Sequence, residues 1–331
     1  MYDLYGLGNA LVDIEYRVDD SFLRQHAVAK GHMTLVDAPR LETLLDATRS
    51  LQSARFSGGS AANTIIAAQA LGDRCFYSCK VRDDDVGRFF AEDMATVGVT
   101  LNGNAVTAEA DTHSGRCLVL ITDDAQRSMN TYLGISQSLG SAQLDPAALK
   151  QSRFFYVEGY MVASETAFAA TMEARAICEQ SDTAFTLSLS DPSMVQFFGD
   201  NLHQIIGDGI DVLFCNEEEA LSFTGTDRVD IARRTLTDAA RHVHITLSEN
   251  GSQYTDGHQL KELPGHAVAA VDTTGAGDLF AGACLHGLMN GWDHATAAAF
   301  GNFMAAQLVT QYGARFRSVA DYRTLQQRFA P

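Results

Sequence analysis

The run Asp272-Thr273-Thr274-Gly275-Ala276-Gly277-Asp278, passing directly into Leu279-Phe280-Ala281-Gly282-Ala283, decides how the rest of this chain is read. It joins a tight glycine turn to the opening of a helix, because Phe280, Cys284 and Leu288 recur at helical spacing and face a core. Gly275, Ala276 and Gly277 leave their backbone N–H groups unobstructed, and a helix start carries orphan donors and a partial positive charge. An anion such as a transferring phosphoryl group is the natural guest there. Asp278 is then the odd member, since a carboxylate competes with an incoming phosphate unless its task is to take the proton from an attacking hydroxyl. The plainer alternative is a first-turn acid that merely favours the helix dipole. The second acid at the head of the string, and the small residues behind it, favour the phosphotransfer arrangement.

Outward from that run, apolar strand-like segments alternate with helical ones. Strands are expected over Leu4 to Gly8, Cys75 to Val81, Phe154 to Glu158, Ala184 to Leu189, Val212 to Cys215 and Val243 to Leu247. Helices are expected over Ala61 to Ala70, Thr166 to Glu179, Ile231 to Ala240 and Asp293 to Thr310. Continuously apolar strands separated by helices imply an α/β fold with a mostly parallel sheet covered on both faces. Right-handed crossovers then gather functional loops at the strands' C-terminal ends. Two excursions break the rhythm, Glu15 to Asp37 and Thr107 to Leu133, with strand-like pieces and no intervening helix. Periodicity alone also allows them at the edge of the main sheet.

Composition narrows the function. The 331 residues, 46% hydrophobic, suffice for one large unit with a substantial core. A formal net charge of −17 argues against nucleic acid as a partner, and it requires any positive charge at a phosphate site to come from particular arginines, backbone dipoles or Mg²⁺. No apolar run approaches the roughly 20 residues of a membrane span, and Met1-Tyr2-Asp3-Leu4 does not resemble a cationic signal peptide, so a cytoplasmic setting is expected. Cys75, Cys79, Cys117, Cys178, Cys215 and Cys284 show no Cys-x-x-Cys pair and read as reduced, buried thiols. The histidines have no metal-binding spacing; His242 and His244 flank a strand position and read as structural.

Other motifs refine the reading. Gly6-Leu7-Gly8-Asn9-Ala10-Leu11 has Leu11 where a dinucleotide fingerprint needs its third glycine, and none of Lys30, Lys80, Lys150 and Lys261 follows a glycine as in a P-loop. Nothing matches a Gly-x-Ser-x-Gly nucleophile elbow. Asn9 and Asp13 stand at or beyond the end of the first strand, where they could grip vicinal hydroxyls or simply sit in a turn. Ser57-Gly58-Gly59-Ser60-Ala61-Ala62-Asn63 permits close backbone approach at the entry to a helix, with Ser60 as the expected N-cap. Asn216-Glu217-Glu218-Glu219 follows an apolar strand; acids there suit the helix dipole, and one Glu with one Asn also suits a well-hydrated Mg²⁺.

With these motifs in this order, the chain is similar to the ribokinase-like, or phosphofructokinase-B, family of sugar and nucleoside kinases. The resemblance implies a three-layer α/β/α domain over residues 1–331, with a small β-sheet lid from segments near 15–37 and 107–133. It implies ATP and Mg²⁺, admits a monovalent cation such as K⁺, and makes Asp278 the catalytic base beside an anion hole of Gly275, Ala276, Gly277 and Asp278 amides. Asn9, Asp13, Gly58, Gly59 and Asn63 then hold the acceptor's hydroxyls, and Met33, Leu133 and Tyr160 line a slot for a base. Asn216, Thr246, Ser248, Gly251 and Asn302 fall to the nucleotide and Glu219 to the metal, with Ser248 standing where the family has a glycine. Arg127 is the candidate cation for the transferring phosphate. Finer similarity, to bacterial adenosine kinases, lies in Gly8 to Ile14, Lys30 to Asp37, Arg127 to Gly134, Glu158-Gly159-Tyr160 and Ser190-Asp191-Pro192. It implies transfer to the 5′-hydroxyl of adenosine, with ribose, fructose or a ketodeoxy acid as the competing acceptors and a non-catalytic binder as the outside alternative. Small-molecule partners, no membrane, and a monomer or homodimer complete the expectation.

Overall fold

The computed structural model describes residues 1–108, 112–124 and 126–329. Its main sheet has nine strands, and from one edge to the other they are Leu260–Leu263, Ser252–Thr255, Ala240–Thr246, Ile210–Asn216, Ala184–Ser188, Ser152–Glu158, Tyr2–Leu7, Cys75–Ser78 and Thr100–Leu101. All neighbouring pairs are parallel except the two at the Leu260–Leu263 edge. The expected strands are present to within a few residues. Cys75 to Val81 is shorter than expected, because Val81–Arg82 leaves the main sheet to pair with Val106–Thr107. The antiparallel edge lacked the long apolar run that marks a doubly covered strand.

Side-chain alternation along the buried strands makes three layers. Tyr5, Leu7, Phe155, Val157, Leu213 and Cys215 enter one core, against helices that include Glu165–Glu179 and Pro192–Ile206. Leu4, Tyr156, Val212 and Phe214 point the other way, into a second core with Ser60–Leu71 and Ala276–Met289. Those two helices touch closely: a Cβ on Gly282 would stand 2.6 Å from the Thr64 carbonyl oxygen and 2.8 Å from the Ala67 Cβ. Small residues thus bring the starts of both helices together, and the main site lies at that junction.

A second sheet of five strands runs in the order Met33–Leu35, Arg127–Tyr132, Gly115–Ile121, Leu11–Arg17 and Ser53–Gly58. Both excursions contribute to it. The sheet also takes Ser53–Gly58, which lies outside them, and the first excursion contains a helix, Asp20–Gln25, capped by Asp19. Leu118 and Leu120 pack on Leu23, Leu41 and Leu44 of helices Asp20–Gln25 and Ala38–Thr48, which cover one face of this sheet. The opposite face carries Asp13, Glu15, Cys117, Val119, Arg127 and Met129, adjacent through the strand register. All six cysteines are free and buried. No helix among the described residues is long and apolar enough to cross a membrane.

Candidate active site

Gly275 opens the helix Ala276–Met289 with φ of 73°, a left-handed conformation that glycine adopts without strain. A Cβ there would also lie 2.4 Å from the Ala314 carbonyl oxygen. Asp272, buried just ahead, accepts from the Thr274 amide at 3.0 Å and from the Gly313 amide at 2.7 Å, pinning the loop from two sides. The Ala276 amide is taken by the Thr273 carbonyl at 3.2 Å. Among the described residues the amides of Gly275, Gly277 and Asp278 form no hydrogen bond. The expected four-amide anion hole is therefore reduced by one, and the two first-turn amides carry most of it.

Asp278 is held by the helix it meets. Ser60 donates its hydroxyl to Oδ1 at 2.7 Å and Asn63 donates its side-chain amide to Oδ2 at 3.0 Å. Burial raises the Asp278 carboxyl to about 6, while those two donors hold it down. The carboxylate is then ionised at neutral pH yet more basic than an ordinary aspartate. Ser60 is not the helix cap expected of it: Gly59, at φ of 106°, is the N-cap residue and no side chain caps the helix. The Asn63 Oδ1 is buried with no hydrogen-bond partner among the described residues, a free acceptor beside the acid.

The glycine pair works by absence of bulk. A Cβ on Gly59 would lie 2.3 Å from the Asn9 carbonyl oxygen, and one on Gly58 2.4 Å from an Asp13 carboxylate oxygen. Each polar group of Asn9 has a partner in the protein. Its amide and side chain both donate to Glu158 Oε1 at 2.9 Å, its Oδ1 accepts from Ser136, and its carbonyl accepts from Tyr77. Glu158 Oε2 accepts from the Ala61 amide at 2.7 Å, so this buried acid joins the first strand to the helix of Ser60. The sequence marked Glu158 as part of a motif and gave no sign of this role. Asp13 differs from Asn9: its carboxylate forms no hydrogen bond among the described residues. Burial, and then the neighbouring Glu15, raise it to about 7 against the pull of Arg127 and Arg315.

Met33 lies on the edge strand opposite Met129, and Leu133 directly follows the strand Arg127–Tyr132. Val119, Met129, Thr131 and Cys117 extend the same apolar face, which alternation in period two could have located once the strands were paired. Tyr160 stands apart in the short helix Gly159–Ala163 on the main core, its hydroxyl 3.5 Å from Asp191. Arg127 is buried and already paired. A terminal nitrogen is 2.9 Å from Glu15 Oε1, and Nε is 2.9 Å from Asp272 Oδ2 without the alignment of a hydrogen bond.

Asn216 and Glu219, which the resemblance assigns to nucleotide and metal, close a capping box. The Asn216 amide and side chain donate to the two Glu219 oxygens at 3.0 and 2.7 Å, and Asn216 Oδ1 accepts from the Glu219 amide. Burial raises the Glu219 carboxyl to about 7, with the Asn216 amide opposing. No cluster of three or more acid, His or Cys side chains suited to hold a metal exists among the described residues. Hard oxygen donors on one or two residues fit Mg²⁺, which keeps most of its water. Thr246 ends its strand between Asn216 and Ser252. Ser248 takes φ of 51°, a left-handed conformation that glycine, the residue the motif has there, adopts freely. Gly251, at φ of 93°, faces Leu263 and Gly265 too closely for any Cβ. Asn302 donates to the carbonyls of Leu263 at 3.1 Å and Pro264 at 3.4 Å, so its amide positions this loop. His242, His244 and His294 stack with Tyr254 on the same edge of the sheet, and all three are held below the usual histidine value chiefly by burial.

Four carboxyls around this cleft (Asp13, Glu158, Glu219 and Asp278) have raised values, and this sets a pH dependence. An unfolded carboxyl gives up its proton near pH 4. The folded ones keep theirs up to pH 6–7, so the stability they contribute is complete below pH 4 and is lost as pH rises to 7. The stacked histidines act oppositely, costing stability below about pH 6.5, so a single group has to be isolated by substitution. Asp13→Asn removes the carboxyl that has no hydrogen bond to lose. Its melting temperature relative to wild type is expected to rise by roughly 2–6 °C between pH 5 and pH 8. A difference that stays constant across that range contradicts the raised Asp13 carboxyl.

A family model described as pfkB family carbohydrate kinase matches residues 34–320. The crystal structure of an adenosine kinase from Sinorhizobium meliloti is 32% identical, covers 99% of each chain and superposes with a TM-score of 0.89. A probable sugar kinase protein from Rhizobium etli is 30% identical over 99% of this chain and 98% of that one, also with a TM-score of 0.89. Among curated proteins, adenosine kinase of Saccharomyces cerevisiae is 25% identical over 335 residues, 94% of this chain and 96% of that protein.

Proposed function

Because the chain belongs to the pfkB family of carbohydrate kinases, we propose that it transfers the γ-phosphoryl group of ATP to the primary hydroxyl of a nucleoside, adenosine first among them, giving AMP. The observation that carries the chemistry is Asp278, a buried carboxylate raised to about 6, fixed by Ser60 and Asn63 beside unbonded first-turn amides. In this reading Asp278 takes the proton from the acceptor hydroxyl as that oxygen attacks the phosphorus. The Gly277 and Asp278 amides, with that of Gly275, receive the charge on the transferring group. Asp13 and the free Asn63 Oδ1 accept from the ribose hydroxyls, while Asn9 and Glu158 hold the glycine pair in place. The apolar face of Met33, Val119, Met129 and Leu133 supports the base, with Tyr160 across the cleft.

Mg²⁺, when bound, would offset the charge of the phosphate groups. Glu219 and Asn216 would hold its water shell, and Thr246, Ser248, Gly251 and Asn302 shape the nucleotide loop. A monovalent cation such as K⁺ belongs to the same reading and rests on the family likeness alone. The smaller sheet acts as the lid, excluding water during transfer. Six buried free thiols suit a cytoplasmic setting, and the acidic composition suits small-molecule partners rather than nucleic acid or membrane. A sugar kinase is the second reading, favoured by the Rhizobium etli relative and by hydroxyl-binding residues that grip a free sugar equally well. An ADP-release assay across adenosine, inosine, guanosine, ribose, fructose and ketodeoxygluconate tests both. Adenosine is expected to give the highest kcat/KM; activity confined to sugars transfers the assignment, and no turnover with any of them overturns it.

A further inference from the structure

One ionic group lies between the two glycine segments of the cleft and takes no part in the transfer chemistry. Asp93, on the helix Asp85–Val97, accepts through Oδ2 from the Ser57 amide at 3.0 Å and from the Ser57 hydroxyl at 2.6 Å. The Arg315 guanidinium donates to that same oxygen with one terminal nitrogen and to the Ser57 hydroxyl, at 3.0 Å, with the other. It also stands over the Phe56 ring, 5.7 Å from the centroid. Ser57, Asp93 and Arg315 thus close a triangle, although Ser57 and Arg315 are 258 positions apart in the sequence. Burial pushes the Asp93 carboxyl up, but Arg315 and the two Ser57 donors outweigh it and hold the group below its usual value.

Each end of the triangle meets one glycine segment. Ser57 runs directly into Gly58 and Gly59, which approach Asp13 and Asn9 too closely for a Cβ. Arg315 directly follows Ala314, whose carbonyl oxygen, Cα and Cβ lie 2.4, 2.7 and 2.8 Å from where Gly275 would carry a Cβ. Gly313, one residue earlier, donates to Asp272, which also accepts from Thr274. The glycine pair has no side chains to hold it, and it is pinned on both flanks: at Ser57 by the triangle and at Ser60 by Asp278. Beyond Arg315 the chain is anchored separately, by Phe316 packed edge-on to Tyr322 in a third core.

We propose that Asp93 and Arg315 are positioning residues that fix the spacing between the acceptor's glycine pair and the glycine turn that receives the phosphate. They act through backbone on either side rather than on a substrate. In-line transfer needs the reacting atoms about 3–3.5 Å apart, and a misplacement of about 1 Å costs roughly 10²-fold. Two segments so distant in sequence therefore need a rigid tie, and a forked guanidinium on a carboxylate and a hydroxyl supplies one. The tie is static and calls for no movement of the smaller sheet. The inference rests on the kinase reading above for the reaction, whereas the joint itself does not depend on which acceptor is used.

Two variants and two readouts on the full chain test it. Arg315→Met keeps an unbranched side chain against Phe56, and Asp93→Asn keeps an acceptor for Ser57. Each is expected to lower kcat about 10–100-fold, with KM for ATP and for adenosine within about threefold of wild type. The double variant is expected to lose no more than about threefold beyond the worse single, because both substitutions break the same triangle. Without substrates, amide exchange is expected to rise about threefold or more at Thr274, bonded to Asp272, and at Asn63, bonded to the Gly59 carbonyl. Neither amide touches Asp93 or Arg315, so a purely local ion pair leaves both unchanged. Faster exchange confined to Ser57 and residues 313–316 overturns the proposal. So do a kcat within about threefold of wild type in both variants, a loss expressed only in KM, and a double variant whose loss is the product of the singles. If wild type phosphorylates none of the nucleosides and sugars, the kinase reading fails instead, and the exchange measurement alone decides the inference.

Discussion

Asp278→Asn is expected to lower turnover by about 10²–10⁴-fold while leaving acceptor and nucleotide binding measurable. The side chain is nearly isosteric, so the loss reports the missing proton acceptor rather than a collapsed site. Its oxygen can keep the hydrogen bond from Ser60, and its new amide group can be met by rotating Asn63, whose Oδ1 has no partner in the native arrangement. The variant is also relieved of a buried charge, so its melting temperature at pH 8 is expected to equal or exceed that of wild type. A second readout follows from the carboxyl's value of about 6. Wild-type kcat/KM is expected to fall tenfold per pH unit below about 6, as the base becomes protonated, and the residual activity of Asp278→Asn is expected to lack that limb. Turnover within tenfold of wild type, with the acid limb intact, removes Asp278 from the reaction.

Arg127→Ala produces the largest expected loss of stability. Its side chain is the cation between Glu15 and Asp272, and all three are largely or wholly withdrawn from water. Deleting one partner of a buried ionic group leaves the others uncompensated, at about 3–5 kcal/mol. For a chain of this size that lowers the melting temperature by roughly 4–7 °C. Assayed well below its own transition, the variant is also expected to lose about 10²-fold in kcat, because loop order and nearby positive charge both matter most as charge develops on the phosphoryl group. Replacing all three by neutral side chains is expected to recover much of the stability and none of the rate. A change confined to KM instead places Arg127 in ground-state binding, and unaltered melting contradicts its ionic role.

Much of the architecture was legible along the chain because the relevant signals are local. Val212 to Cys215 and Phe154 to Glu158 are almost continuously apolar, as strands between two helical layers must be, and each is found in place. Signals failed where a residue's surroundings are assembled from afar. The antiparallel strands Ser252–Thr255 and Leu260–Leu263 have no apolar run: the first is buried yet built of Ser, Gln, Tyr and Thr, and the second lies exposed at the sheet edge. Ser60 has the sequence of a helix cap, yet its hydroxyl turns to an aspartate 218 residues away. Asn9 stands at the end of the first strand, and its polar groups pair with Glu158, Ser136 and Tyr77, residues 68 to 149 positions away.

What the residues determined by themselves is the turn at Gly275, the helix it starts, the glycine pair at 58 and 59, and the layered sheet between them, since each follows from backbone freedom or from period. Only the tertiary structure decided which groups are free to act. Glu219 proved to be bonded to Asn216 and Arg127 to two carboxylates, whereas Asp13 and the Asn63 Oδ1 were left open. The physical reason is that a polar side chain's chemistry depends on whether its partners were consumed in folding, and those partners come from strands and loops that no local pattern connects.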